Sequence, residues 1–282
     1  MSNKILKTAF NLFYHNGKLL PIAEAVIPLS SIEYAYGFGV YETIRVSNGV
    51  VYFLEDHMER LIESAKIIGL EHSFSQSAIE KGINDLVAET QSESFNIKIL
   101  LIGAPTKEGA SLSALCFNPL FPDKKLFKEG ASLITYNHER VFPHAKSLNM
   151  LQSYIAYKKA KEAGAYDALL VNRNGFITEG TRTNFFCIDG KIIYTPPEKD
   201  ILLGVTRKAL LKVAEANGYE IVQKDISLDG VKKYDGAFIS STSTKILPIK
   251  IIDAEILPSP SENLKNLMVL FFDFLKNCNG KF

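Results

Sequence analysis

Lys146 and Glu179 are the residues of this chain whose types could do chemistry as a pair. A lysine amine can attack a carbonyl carbon and shuttle a proton, while a carboxylate can keep a basic ring nitrogen protonated. Both fall in one stretch, Pro143 to Asn184, which reads PHAKSLNMLQSYIAYKKAKEAGAYDALLVNRNGFITEGTRTN. Its spacing predicts a loop carrying Lys146, a helix from about Leu148 to Ala163 and a strand from Tyr166 to Val171. An Asn-Arg-Asn-Gly turn follows, then an extended segment ending on Glu179. A lysine ahead of a helix is ordinarily just a solvated lysine. The wording around it has to decide.

Two further segments could cradle a phosphate. In Leu203-Gly204-Val205-Thr206 the backbone amides open a helix, where unpaired N–H groups and the helix dipole favour an anion. The tract Ser240-Ser241-Thr242-Ser243-Thr244 follows a predicted strand and offers hydroxyls and amides. Each has an ordinary reading, as a helix cap or a turn. The nucleotide loops GxxxxGK[ST] and GxGxxG are absent. Together, a lysine, a carboxylate, an arginine and two anion-friendly turns are a sufficient kit for pyridoxal 5'-phosphate.

The elements that must position these groups form an α+β mixture. Two Asn-Gly dipeptides, Asn16-Gly17 and Asn48-Gly49, separate β-rich runs between residues 9 and 53 and signal hairpins. The run from Leu54 to about Ile68 switches to helical period, with Asp56 and Arg60 spaced for a surface ion pair. A second helix over about Ser77 to Thr90 precedes strands at Phe95–Ile102 and Leu112–Phe117. Two prolines and three lysines in Asn118–Lys128 mark a boundary. The expected units are a small domain over 1–120, a linker at 121–128 and a larger domain over 129–282. A hairpin turning at Asp189-Gly190, a helix over about Arg207–Ala216, three short strands and a last helix over about Glu262–Lys276 complete the chain.

At 282 residues, with 46% hydrophobic and 22% charged residues, this is a globular composition. The formal charge of +1 gives no field for nucleic acid or an anionic membrane. Cys116, Cys187 and Cys278 are too scattered for a disulfide framework, and the five histidines show no metal-ligand spacing. No apolar run reaches the roughly 18 residues of a membrane span, and the polar opening residues leave no room for a secretory h-region. A cytoplasmic protein without metal is expected.

The blocks YGFGVYETIRV, HMERL, AKSLN, EAGAYDALLV, ITEGTRTNFF, IIYTPP and LLGVTRKALL, in that order, resemble the class IV pyridoxal-phosphate aminotransferases. That family takes in branched-chain aminotransferases, D-amino-acid aminotransferases and aminodeoxychorismate lyases. The resemblance runs from about residue 14 to 250. It implies a two-domain fold type IV enzyme: a small N-terminal α/β domain, a larger C-terminal domain with a β-barrel-like core, cofactor between them, and a homodimer. Lys146 falls on the Schiff-base lysine, Glu179 on the carboxylate facing the pyridine nitrogen and Arg60 on a phosphate-binding arginine. Val205, Thr206 and Thr242 fall on phosphate-holding positions, and Tyr34 on a substrate-side tyrosine.

Subfamily signals diverge. Leu151 stands where branched-chain members often place a tyrosine. Gly103 stands near the carboxylate-trapping arginine of D-specific members, which argues against D-specificity. Lys98 lies near a branched-chain arginine that meets a side-chain carboxylate, although a lysine lacks its bidentate fork. Thr43 lies where lyases keep a threonine tied to elimination. Arg182 reads as solvated. The resulting expectation is an aminotransferase moving an amino group between a branched-chain-like L-amino acid and a 2-oxo acid. The alternative is an aminodeoxychorismate lyase of 4-aminobenzoate synthesis, with a D-amino-acid aminotransferase behind it.

Overall fold

A computed structural model describes residues 10–280. Ala9, where the first strand was expected to begin, and the polar opening of the chain lie outside the described residues. Two compact units emerge, one of residues 10–120 with 145–149, the other of 121–144 with 150–280.

The first unit is a six-stranded sheet. Its strands are β1 (Leu12–His15), β2 (Lys18–Pro21), β3 (Gly39–Ser47), β4 (Val50–Val51), β5 (Ser94–Ile102) and β6 (Ser111–Phe117), ordered β2-β1-β6-β5-β3-β4. Both Asn-Gly turns form as expected: Asn16, Gly17, Asn48 and Gly49 all have positive φ, the backbone a tight two-residue hairpin requires. The run of strands expected over 9–53 is interrupted by a single 3-10 turn at Ile22–Glu24 and the short helix α1 (Ile32–Ala35). Helices α2 (Leu54–Ile67) and α3 (Gln76–Ala88) carry apolar residues at helical spacing. These pack Met58, Leu61, Ile79, Ile83 and Leu86 against Ile44, Ile97, Ile99 and Leu112 on one sheet face.

The second unit is built on a closed barrel. Its strands are β7 (Ala131–Asn137), β8 (Asp167–Val171), β9 (Phe176–Gly180), β10 (Asn184–Asp189), β11 (Ile192–Thr195), β12 (Glu220–Gln223), β13 (Ile226–Ser227), β14 (Gly236–Ser241), β15 (Lys245–Ile252) and β16 (Glu255–Ile256). Six of them, β10-β14-β15-β7-β8-β9, close on themselves because Asn184 of β10 pairs with Glu179 of β9. Closure removes the unpaired edges an open sheet would present. Leu133, Leu169, Phe185, Cys187, Ile239 and Leu247 fill the core.

The helices of this unit are α4 (Lys124–Glu129), α5 (Leu151–Glu162), α6 (Val205–Ala216), α7 (Leu228–Val231) and α8 (Glu262–Asn277). Most of the segment expected as a linker, 121–128, is thus the helix α4 and its entry, packed on β15. Asp123 caps it by accepting from the Lys125 amide. The helix expected from about Leu148 begins three residues later, because Ser147 forms a bridge with Val40 and the backbones of Lys146 and Leu148 bond to Tyr41 and Gly39 of the first unit's sheet. The hairpin expected to turn on Asp189-Gly190 turns on Gly190-Lys191 instead, with Asp189 still paired to Ile192. Cys116 and Cys187 are buried and Cys278 half-buried, all free. Among the described residues no helix is long and apolar enough to cross a membrane, and no cluster of ligands could hold a metal.

Candidate active site

In the first unit, alternation along β3 sorts the residues of GVYETIRV onto two faces. Val40, Glu42, Ile44 and Val46 point to the helices; Tyr41 and Thr43 point away. Glu42 is therefore a carboxylate with no exposed surface, a costly arrangement unless it is paired. Two residues of α2 pair it. Arg60 donates from Nε to Oε1 at 2.7 Å and from Nη2 to Oε2 at 2.8 Å. His57 Nδ1 lies 2.7 Å from Oε2. Burial raises the Glu42 carboxyl, but the Arg60 charge and the hydrogen bonds from His57 and Arg60 hold it well below its ordinary value. Burial pushes His57 down, against the pull of Glu42, so the ring is neutral and donates from Nδ1. Arg60 is thus held by Glu42 of the sheet, a partner that spacing along the helix could not reveal. The two-point grip fixes the plane of its guanidinium.

Beside β3, Lys146 is held by its backbone. Tyr41 donates its amide to Lys146 O at 2.9 Å, Leu148 donates to Gly39 O at 2.8 Å, and the Lys146 amide donates to Ser64 Oγ of α2 at 3.0 Å. The expected loop is therefore a short antiparallel addition to the sheet. The Lys146 ammonium lies 4.6 Å from the centre of the Tyr41 ring. Lys98, paired in register with Thr43, lies 5.5 Å from the same ring. Lys146, Lys98 and Thr43 are brought together around Tyr41, a residue to which sequence reasoning gave no role. Tyr34 sits on α1 and is partly exposed.

In the second unit, Glu179 is 2% exposed at the end of β9. Its Oε1 lies 2.5 Å from Arg140 Nε, and its Oε2 accepts the Leu202 amide at 3.3 Å. Nothing in the sequence singled out Arg140. It also lines a cleft of about 860 Å3 with His138, Arg173 and Gly175. Leu202 leads through Leu203 and Gly204 into α6, whose N-cap is Gly204, with no side-chain cap. Val205 and Thr206 thus stand in a first turn whose amides are not capped by a side chain, as anion binding requires. Thr242 lies in the turn between β14 and β15, a turn braced by the Ser241 hydroxyl, 2.9 Å from Thr244 Oγ1. Arg182 stacks over the Tyr157 ring at 4.1 Å.

The second unit therefore joins a carboxylate to a helix N-terminus. The first gathers a lysine, an arginine and a sheet face of mixed polarity. The profile of the family described as Amino-transferase class IV matches residues 39–252. The chain belongs to this family.

As a class IV aminotransferase it is an enzyme. Its curated relatives include a D-alanine aminotransferase of Bacillus licheniformis, 34% identical over 263 residues, spanning 89% of this chain and 93% of that one. A putative branched-chain-amino-acid aminotransferase of Methanocaldococcus jannaschii is 28% identical over 256 residues, spanning 86% and 88%. Among solved structures, the branched-chain aminotransferase of Thermoproteus uzoniensis with norvaline matches at a TM-score of 0.84 and 28% identity, over 94% of both chains. A T.th. branched-chain amino acid aminotransferase complexed with N-(5'-phosphopyridoxyl)-L-glutamate matches at 0.85 and 26% identity, over 94% and 93%. The class IV fold expected from sequence is thereby borne out. Both the D-alanine and the branched-chain enzymes are represented among its relatives.

Proposed function

We propose that this class IV aminotransferase uses pyridoxal 5'-phosphate to move an amino group between a branched-chain-like L-amino acid and a 2-oxo acid. The observation that carries the stereochemical choice is Gly103. A Cβ built there would lie 2.3 Å from the Phe38 ring and 3.3 Å from Leu70, so a side chain near the position where D-specific members place an arginine would have to displace that ring. The D-alanine reading draws on the relative at 34% identity and is the second reading.

The residues present fit the cofactor. Within the second unit, the α6 N-terminus without a capping side chain and the hydroxyls of Thr206 and Thr242 suit a phosphate dianion, and the family resemblance assigns Arg60 a phosphate-binding role. The Glu179 carboxylate, set beside Arg140, suits a protonated ring nitrogen. Pyridoxal phosphate, when bound, supplies an aldehyde that takes up the amino group and a ring that delocalises the electron pair left at the substrate Cα. Lys146 is the residue to hold that aldehyde and then to act as the base. Its Nζ takes the proton from the substrate Cα and gives it up again. With its backbone pinned, only the four-carbon stem moves, so the amine swings about a fixed anchor. Lys98 and Thr43, which share a sheet face, are the residues we assign to the substrate, with Tyr34 as a further contact. A cytoplasmic homodimer completes the reading, and exposed apolar side chains at Val26, Leu29, Ile32 and Tyr36 support the association.

Glu179→Gln removes the charge while keeping the shape. It is expected to retain the cofactor and to slow proton transfer by roughly 10²- to 10³-fold in single-turnover experiments. Full activity in that variant would take Glu179 out of the chemistry.

Substrate choice is read from the cofactor-loaded protein titrated separately with L-leucine, L-glutamate, D-alanine and aminodeoxychorismate. The amino acids L-leucine and L-glutamate are expected to convert its visible spectrum to that of the aminated cofactor. Conversion by D-alanine alone would establish the second reading. No conversion by any amino acid, with pyruvate released from aminodeoxychorismate, would mean a lyase.

A further inference from the structure

Asn184 has no part in the chemistry described so far, yet four observations converge on it. Its side chain is buried, with 6% of the residue exposed. Its Nδ2 donates to Leu202 O at 2.7 Å. Its Oδ1 lies 2.1 Å from where a Cβ on Gly204 would stand, so the backbone of the α6 N-cap rests directly on this amide. Its own backbone pairs with Glu179 across the seam that closes the barrel. The Leu202 residue whose carbonyl Asn184 holds also donates its amide to the Glu179 carboxylate.

The loop Leu202–Gly204 is therefore gripped at one end by Glu179 and along its length by Asn184, and it delivers the first turn of α6. We propose that Asn184 is a positioning residue that sets the separation between the Glu179 carboxylate and the α6 N-terminus. A ligand carrying a basic ring at one end and a phosphate at the other is then met at both ends at once. The inference rests on the cofactor reading given above, in which these two ends hold the ring nitrogen and the phosphate. Its physical content is that of any two-point grip. Each half-ligand binds weakly wherever its own partner stands. The joined ligand gains from the second contact only when the spacing is right, and the gain is lost when the geometry slips.

This gives a readout that a merely structural asparagine would not move. The full chain, freed of cofactor, is titrated with pyridoxine 5'-phosphate, with pyridoxine and with inorganic phosphate, none of which can bond covalently to Lys146. Asn184→Ala is expected to weaken the joined ligand about 10- to 100-fold while changing each fragment by less than about 3-fold. Removing the amide also leaves Leu202 O without its partner, which could cost the fold, so a second variant keeps every polar group. Gly204→Ala, at a backbone conformation alanine tolerates (φ −65°, ψ 134°), pushes a methyl group against Oδ1 and is expected to show the same selective loss. In the double variant the methyl gains room, so the two losses are expected to combine to less than their product.

Equal weakening of the joined ligand and of either fragment would overturn the positioning role, as would unchanged affinity for the joined ligand in both single variants. The cofactor reading fails separately. If the unaltered chain binds pyridoxine 5'-phosphate no better than phosphate, or if Glu179→Gln and Thr206→Val both leave that affinity unchanged, the two ends do not hold one ligand, and both readings fall.

Discussion

Lys146→Ala is expected to lower turnover by at least about 10⁴-fold, because in the function proposed above it removes both the group that bonds the cofactor and the base that moves the substrate proton. The protein itself should survive the change. The hydrogen bonds that fix this segment, to Tyr41, Ser64 and Gly39, run through backbone atoms of residues 146 and 148. The half-buried side chain makes its described contact with the face of the Tyr41 ring. An unshifted melting midpoint beside absent turnover is therefore the expected signature. Partial recovery with added ethylamine would identify the missing group as an amine. A variant retaining a tenth of the turnover would remove Lys146 from the chemistry.

The second large effect concerns stability. Glu42→Gln is expected to destabilise the protein by about 3–5 kcal/mol, since it leaves a partly buried guanidinium without its anion and sets an amide NH2 against donors where a carboxylate oxygen accepted them. That corresponds to a fall in melting midpoint on the order of 10 °C. Glu42→Leu combined with Arg60→Met, which removes both charges, is expected to recover much of the loss while leaving cofactor affinity impaired. A melting point unchanged in Glu42→Gln would show that the buried pairing contributes nothing net.

The same cluster fixes a pH dependence. Both groups titrate lower in the folded chain than in the unfolded one, so the unfolded chain binds more protons on acidification and stability falls with pH. The contribution of His57 is whole above its ordinary value of 6.5 and is lost below it, as pH falls toward its depressed folded value. That of Glu42 is whole above 4.5 and is lost at lower pH still. His57→Asn keeps a donor for Glu42 without a titrating ring. It is expected to flatten the loss between pH 6.5 and 4.5, which denaturant melts across that range would measure.

What could be read from the sequence was local. The helices that became α2, α3 and α8 announce themselves by apolar spacing, and the Asn-Gly hairpins by residues that tolerate positive φ. Lys146, Glu179 and the Gly204–Thr206 turn stood out because their neighbours carry a family's wording. The rest depends on contacts between residues far apart in the chain. Arg60 was given Asp56 as a partner because helical spacing is visible, whereas the burial of Glu42 on the inner face of β3 is not. Arg140 gave no signal, since its meaning lies in a carboxylate two strands further along. The barrel closes through Asn184 and Glu179, and no periodicity records a seam between strands that meet around a ring. The start of α5 was placed too early because Leu148 and Asn149 suit a helix, while the bonds to Gly39 and Tyr41 draw that stretch into extended pairing.

That pairing has a consequence for biosynthesis. The sheet of the first unit is not finished when its sixth strand has been made; residues 145–149 must still arrive, after α4 and β7 of the second unit have been synthesised. Until then the bonds joining this segment to Tyr41 and Gly39 cannot form, and the end of β3 is open to another chain. A fragment cut at Leu120 would carry this unfinished edge permanently and is the form in which self-association should be looked for. Lys146 lies in the segment of the first unit that is synthesised last, so its backbone bond to Tyr41 can form only after the six strands have been made.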